Sequence, residues 1–186
     1  FEPVDGKTIK KIARYQQFRA VHKTIERIKT GTTKKERGGV IWHTQGSGKS
    51  LTMVFLTIKM RRDEELKQYK LVFITDRTQL DGQLTSTFQN AQNETVYNAS
   101  SVADLKELLK KDSSDVITAM VQKFQESEGE LEFPVLNTSD KILIMADEAH
   151  RTQYGSLGVA INIALPNAPK IAFTGTPLIR TDKTRE

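Results

Sequence analysis

The chain has 186 residues, room for one compact domain with a hydrophobic core and too few for two lobes of ordinary size. Apolar residues make up 37% and charged residues 27%, as in a soluble globular protein rather than a disordered or fibrous one. There is no cysteine, which removes disulfides and thiolate metal sites, and no apolar run approaches the ~18 residues of a membrane span, so a cytoplasmic protein with no membrane role is expected. The formal charge of +5 is uneven. Residues 1–37 carry 11 Lys and Arg against 4 Asp and Glu, a local +7 that leaves −2 for the remainder. A basic end suits a polyanion such as nucleic acid, and equally suits a solvated helical face.

In chain order, Ile9, Ile12, Tyr15, Phe18, Val21, Ile25 and Ile28 recur at helical spacing and predict an amphipathic helix over Thr8–Lys29. The polar stretch Thr30–Arg37 and Gly38-Gly39 read as a connection. Residues 1–37 are therefore expected to form a helical segment joined by a basic linker to the body of the domain, residues 38–186. Short apolar runs at Val40–Trp42, Leu71–Ile74, Val116–Met120, Ile142–Ala146 and Ile171–Phe173 predict strands. Helix-like segments at Ser50–Arg62, Thr78–Gln89, Val102–Lys111 and Ser156–Ile163 lie between them. That alternation predicts an α/β fold, a mainly parallel sheet with helices on both faces. Glu126–Asp140, acid-rich with Gly129 and Pro134, reads as a surface loop.

Two strand ends carry chemistry. Gly46-Ser47-Gly48-Lys49-Ser50 follows a predicted strand and opens a predicted helix, the setting in which a glycine-rich loop cradles phosphates on backbone N–H groups and a helix N-terminus. Lys49 would place its charge against the β/γ-phosphates of ATP, and the Ser50 hydroxyl would take a position on Mg²⁺. His43 stands five residues before Gly48, where the full loop pattern has its first glycine, so only the second half of the pattern matches. It reads as a strand-end residue rather than a catalyst. A glycine turn with a surface lysine would carry the same letters. Asp147-Glu148 ends the run Ile142–Ala146, at the carboxyl end of a strand where α/β sites form. Asp147 is suited to Mg²⁺ and Glu148 to accepting a proton from the attacking water; a helix N-cap is the other reading of an acid there.

Asp147-Glu148-Ala149-His150 resembles the DEAH-type Walker B box of helicase superfamily two, and other strings follow in that family's order. Arg14-Tyr15-Gln16-Gln17 resembles the Q motif, Thr75-Asp76-Arg77 with Leu80 and Gln83 motif Ia, and Thr118 through Gln122-Lys123-Phe124 the next DNA-side motif. Thr174-Gly175-Thr176-Pro177 resembles motif III. Thr75–Leu84 and Asp147–Gly155 are most similar to the motor subunit of type I restriction enzymes. The resemblance implies a three-layer, RecA-like P-loop NTPase lobe that binds ATP·Mg²⁺ through Gly46, Ser47, Gly48, Lys49, Ser50, Asp147 and Glu148. It implies adenine recognition by Gln17 (or Gln16), DNA contacts by Arg77, Gln122 and Lys123, and coupling through His150, Thr174 and Thr176.

For the whole protein, the resemblance implies a motor that moves double-stranded DNA for methyltransferase and specificity subunits, with cleavage by a nuclease domain outside this chain. A second lobe, also expected outside it, would supply arginines worth ~10³–10⁵ in rate, so the lobe alone is expected to hydrolyse ATP poorly. Two rivals share most of these motifs: another superfamily-two helicase or remodeller, and a nucleotide-gated DNA-binding module without turnover.

Overall fold

The computed structural model describes residues 2–4, 7–44, 46–75, 96–120, 133–147 and 154–175. A short antiparallel ribbon, β1 (Glu2–Val4) and β2 (Lys7–Ile9), precedes α1 (Tyr15–Thr30) and the single turn α2 (Lys34–Arg37). Then come β3 (Gly39–Trp42), α3 (Lys49–Arg61), β4 (Lys70–Thr75), β5 (Val96–Ala99), α4 (Val102–Lys110), β6 (Val116–Met120), β7 (Ile142–Asp147), α5 (Tyr154–Ala164) and β8 (Lys170–Thr174). The six strands β3 to β8 form one sheet in the order β3-β8-β7-β4-β6-β5, parallel at every pairing.

Side chains alternate across a strand, and in the central strands that alternation sorts two cores. Leu71 and Phe73 of β4 and Leu143 and Met145 of β7 pack on the face covered by α1 and α3, with Val21, Ile25, Met53 and Leu56. Val72 and Ile74, with Ile142, Ile144 and Ala146, pack on the opposite face under α4 and α5, against Leu105, Leu109, Leu157 and Ile161. Both faces are covered, so β4, β6 and β7 are buried at every position. Burial on both sides is why these strands read as unbroken apolar runs rather than as alternating ones.

The predicted strands are all present, each within a residue of its expected limits. The helix predicted over Thr8–Lys29 begins instead at Tyr15, because residues 7–9 are paired in the ribbon. Its buried stripe is Gln17, Val21, Thr24, Ile25 and Ile28, while Ile9, Ile12, Tyr15 and Phe18 are exposed. The connection Thr30–Arg37 contains α2, held by a reciprocal cap: Thr33 Oγ1 accepts from the Glu36 N–H (3.2 Å) and the Glu36 carboxylate accepts from the Thr33 N–H (3.0 Å). Residues 133–140 of the predicted surface loop are irregular, yet Phe133 is buried and Leu136 packs on the α4/α5 core. The predicted helix Thr78–Gln89 lies outside the described residues.

Candidate functional site

The sheet order puts the carboxyl ends of β3, β8 and β7 side by side. Each strand step is ~4.8 Å, so Asp147 on β7 lies roughly 10 Å across the sheet from the strand that launches the glycine loop. A lysine side chain and one phosphate bridge such a gap.

Gly46 and Gly48 are the positive-φ glycines of the loop, at 78° and 85°. The left-handed region is costly for any residue bearing a Cβ, so both positions need glycine. A Cβ at Gly46 would meet nothing within 4 Å, which leaves open space above the loop. At Gly48 a Cβ would lie 2.6 Å from Gln17 Nε2. Gln17 is 3% exposed, and its carboxamide is engaged on both sides. Its Nε2 donates to the Gly48 carbonyl (3.0 Å), and its Oε1 accepts from the Arg14 N–H (2.9 Å). Thr52 Oγ1 also donates to the Gly48 carbonyl (3.1 Å). The buried stripe of α1 thus ends on the loop, 31 residues later in the chain.

His43 accounts for the departure from the full loop pattern. Its backbone N–H donates to the Thr174 carbonyl (3.0 Å), closing the last pair of the β3–β8 ladder. A strand position has no need of glycine. Its ring is buried, with Nδ1 3.2 Å from Ser47 Oγ, and Ser47 Oγ donates to the Thr44 carbonyl (2.6 Å). Burial first, then the charge of Lys49, holds the imidazole below its ordinary pKa, so it is neutral at pH 7. Lys49 and Ser50 open α3 and are half-buried.

Asp147 is the last residue of β7, paired with Phe173 and 6% exposed. It closes the β7 ladder, facing the end of the sheet where the glycine loop lies. Thr174 ends β8 beside Trp42, and the Trp42 indole N–H donates to the Gly175 carbonyl (3.1 Å). The structure therefore brings Gln17, Gly46, Ser47, Gly48, Lys49, Ser50, Asp147 and Thr174 to one end of three adjacent strands. Glu148, His150, Thr176, Arg77, Gln122 and Lys123 lie outside the described residues. The braces supplied by His43 and Thr52, and the tie from Trp42 to Gly175, had no sequence signal beyond their positions next to the motifs.

Two left-handed glycines, open space above one of them, a helix N-terminus carrying Lys49 and Ser50, and a buried carboxylate two strands away form a donor set suited to a phosphate chain with a hard divalent cation. Among the described residues no group of three His, Asp or Glu could hold a metal by itself. A Mg²⁺ ion here would be shared with phosphate oxygens, as its chemistry favours. No described helix is long and apolar enough to cross a membrane.

The sequence pattern of SWI2/SNF2 ATPases matches residues 16–186. A Methanocaldococcus jannaschii protein named as a putative type I restriction enzyme MjaIXP endonuclease subunit is 42% identical over 178 residues, covering 93% of this chain and 17% of its own length. The HindI endonuclease subunit of Haemophilus influenzae is 41% identical over 196 residues, covering 96% of this chain and 19% of its own. The chain thus spans under a fifth of the length of these relatives. Among solved structures, the Sulfolobus solfataricus SWI2/SNF2 ATPase core in complex with double-stranded DNA superposes with a TM-score of 0.62 at 19% identity, over 97% of this chain and 36% of that one. A nuclease-deletion mutant of the type ISP restriction-modification enzyme LlaGI, bound to a DNA substrate mimic, gives 0.59 at 19% identity, over 94% of this chain and 19% of that one. These two similarities establish the RecA-like fold, and the relatives bear out the resemblance to restriction motors.

Proposed function

The chain belongs to the SWI2/SNF2 ATPase family, and from that premise we propose that it is the ATP-binding lobe of a type I restriction motor, coupling hydrolysis to movement along double-stranded DNA. The observation that carries the reading is the convergence of the Gly46–Ser50 loop with Asp147 and Thr174 at the carboxyl ends of β3, β7 and β8. In this reading the loop's N–H groups and Lys49 bind the phosphates, while Ser50 and Asp147 would hold Mg²⁺, which would supply charge neutralisation for phosphoryl transfer. Glu148 accepts a proton from the attacking water. Gln17 fixes the loop from α1. The base sits in the hollow of about 410 Å³ lined by Tyr15, Gln16, Trp42 and His43 among others.

Arg77, Gln122 and Lys123 contact DNA in this proposal. Contacts to the phosphate backbone carry no sequence information, which suits a motor that must pass every sequence. His150, Thr174 and Thr176 relay the nucleotide state to that surface. In the whole enzyme, methyltransferase and specificity subunits choose the site, and a nuclease domain elsewhere in the subunit cuts.

The test is steady-state ATP hydrolysis by the full-length subunit with and without duplex DNA, for wild type, Lys49→Ala and Glu148→Gln. Duplex should stimulate turnover, and both variants should abolish it, with Glu148→Gln still binding ATP. Turnover indifferent to duplex, or surviving both substitutions, would reject the motor and the assigned roles together.

A further inference from the structure

At the opposite end of the sheet from the glycine loop, the first residues of β3 and β8 border an open groove of about 700 Å³. Among the described residues its charged lining is cationic: Arg27 from α1, Lys34 and Lys35 from α2, and Lys170 from β8. The cations are brought together by construction. Gly38 is buried, and a Cβ there would lie 3.0 Å from the Lys170 carbonyl and 3.3 Å from the Lys34 carbonyl. Any side chain there would crowd both carbonyls, so Gly38 helps α2 lie close to the start of β8. The Arg27 side chain is fixed to the same turn, its Nε donating to the Glu36 carbonyl (3.0 Å).

Two described acids near the groove bond outside it. The Glu36 carboxylate caps its own helix at Thr32 and Thr33, and Asp140 pairs with Arg37 (3.4 Å). Burial lowers the pKa of both Lys34 and Lys170, and the charge of Lys34 lowers that of Lys170 further. Four cations gathered on one concave surface repel one another, a cost that a bound polyanion offsets. β3 has four residues, so at ~3.3 Å per residue the groove lies roughly 13 Å from the glycine loop. The groove shares Arg27, Gly39 and Val40 with the hollow given to the base, whereas Lys34, Lys35 and Lys170 line the groove alone.

We propose that the lysine end of this groove, formed by Lys34, Lys35 and Lys170, is a second contact for the phosphodiester backbone of duplex DNA, distinct from the glycine loop and read without regard to sequence. Lysines act here as point charges on backbone phosphates, and the groove gives a place in the fold to part of the positive excess of residues 1–37. The inference rests on the motor reading above.

The experiment uses the full-length subunit and a short fluorescently labelled duplex of mixed sequence, with binding followed by anisotropy across a salt series. Each phosphate contact contributes about 0.9 to the slope of log K against log salt. The pair Lys34→Gln and Lys35→Gln should therefore lower the slope by roughly 2, leave ATP binding unchanged, and recover with Lys34→Arg and Lys35→Arg. Should the double variant misfold, Lys35→Gln alone, at an exposed position, should lower it by about 1. A slope unchanged while wild type holds duplex overturns this proposal alone. The same holds if the variants instead lose the methyltransferase and specificity subunits, which would make the groove a site for an acidic protein surface. A wild type that holds no duplex overturns both this proposal and the motor.

Discussion

Two lysines sit at opposite ends of helices, and the contrast separates function from architecture. Lys70, at the start of β4, is 2% exposed and donates to the carbonyls of Leu108 (2.6 Å) and Lys111 at the end of α4. A cation at a helix C-terminus satisfies orphan carbonyls and complements the helix dipole. Burial lowers the pKa of its ammonium, while Asp115 and Asp112 pull it back up. Lys49 is placed the other way round. It is the first residue of α3, at the positive end of the dipole, in a first turn with no acid. Stability disfavours a cation there, so its presence points to an anionic ligand, whereas Lys70 is explained by the fold alone.

The contrast is broken most decisively by activity. Lys49→Ala should lower ATP turnover of the full-length subunit by on the order of 10²–10³, while folding stability stays level or rises by up to ~1 kcal/mol as the dipole conflict is relieved. Lys70→Met should do the reverse. It strands the buried Leu108 carbonyl at a cost of about 1–3 kcal/mol, read as a lower denaturation midpoint with nucleotide affinity intact. If the two variants behave alike, the distinction fails.

Gly48→Ala sharpens the comparison by loading strain onto the glycine loop. A left-handed alanine costs ~1–2 kcal/mol, and its Cβ would displace Gln17 from the Gly48 carbonyl. Stability and nucleotide affinity should fall together, where Lys49→Ala leaves stability level or higher. The smallest effect concerns His43. Its folded pKa lies below the ordinary value of 6.5, so the folded chain resists protonation that the unfolded chain accepts. The associated stability is complete above pH 6.5 and is lost as pH falls below it. Wild type should therefore lose more of its thermal midpoint than His43→Gln between pH 7 and pH 5.

How much of this was legible in the sequence depended on whether a feature is local. Strands β4, β6 and β7 are buried on both faces, so their apolar runs were unmistakable. Strand β5 gives no such signal because it is four residues at the sheet edge, with Tyr97 and Asn98 exposed. Periodicity also misplaced the start of α1. Ile9 and Ile12 fall at helical spacing yet are exposed, whereas the positions that α1 buries include the polar Gln17 and Thr24. At the site, the glycines, Lys49 and Asp147 announced themselves through residue type and spacing. The bracing of the loop did not, since a hydrogen bond from Gln17 to Gly48 joins segments whose separation no local pattern records.

Trp42 is the sole tryptophan of the chain, 65% exposed, with its indole N–H bound to the Gly175 carbonyl. Indole emission is sensitive to solvent and to hydrogen bonding at that nitrogen, so the protein carries a built-in optical probe between the strand that launches the glycine loop and the strand that ends at Thr174. Rapid-mixing fluorescence with ATP, without any label, would time how fast a change at one strand reaches the other.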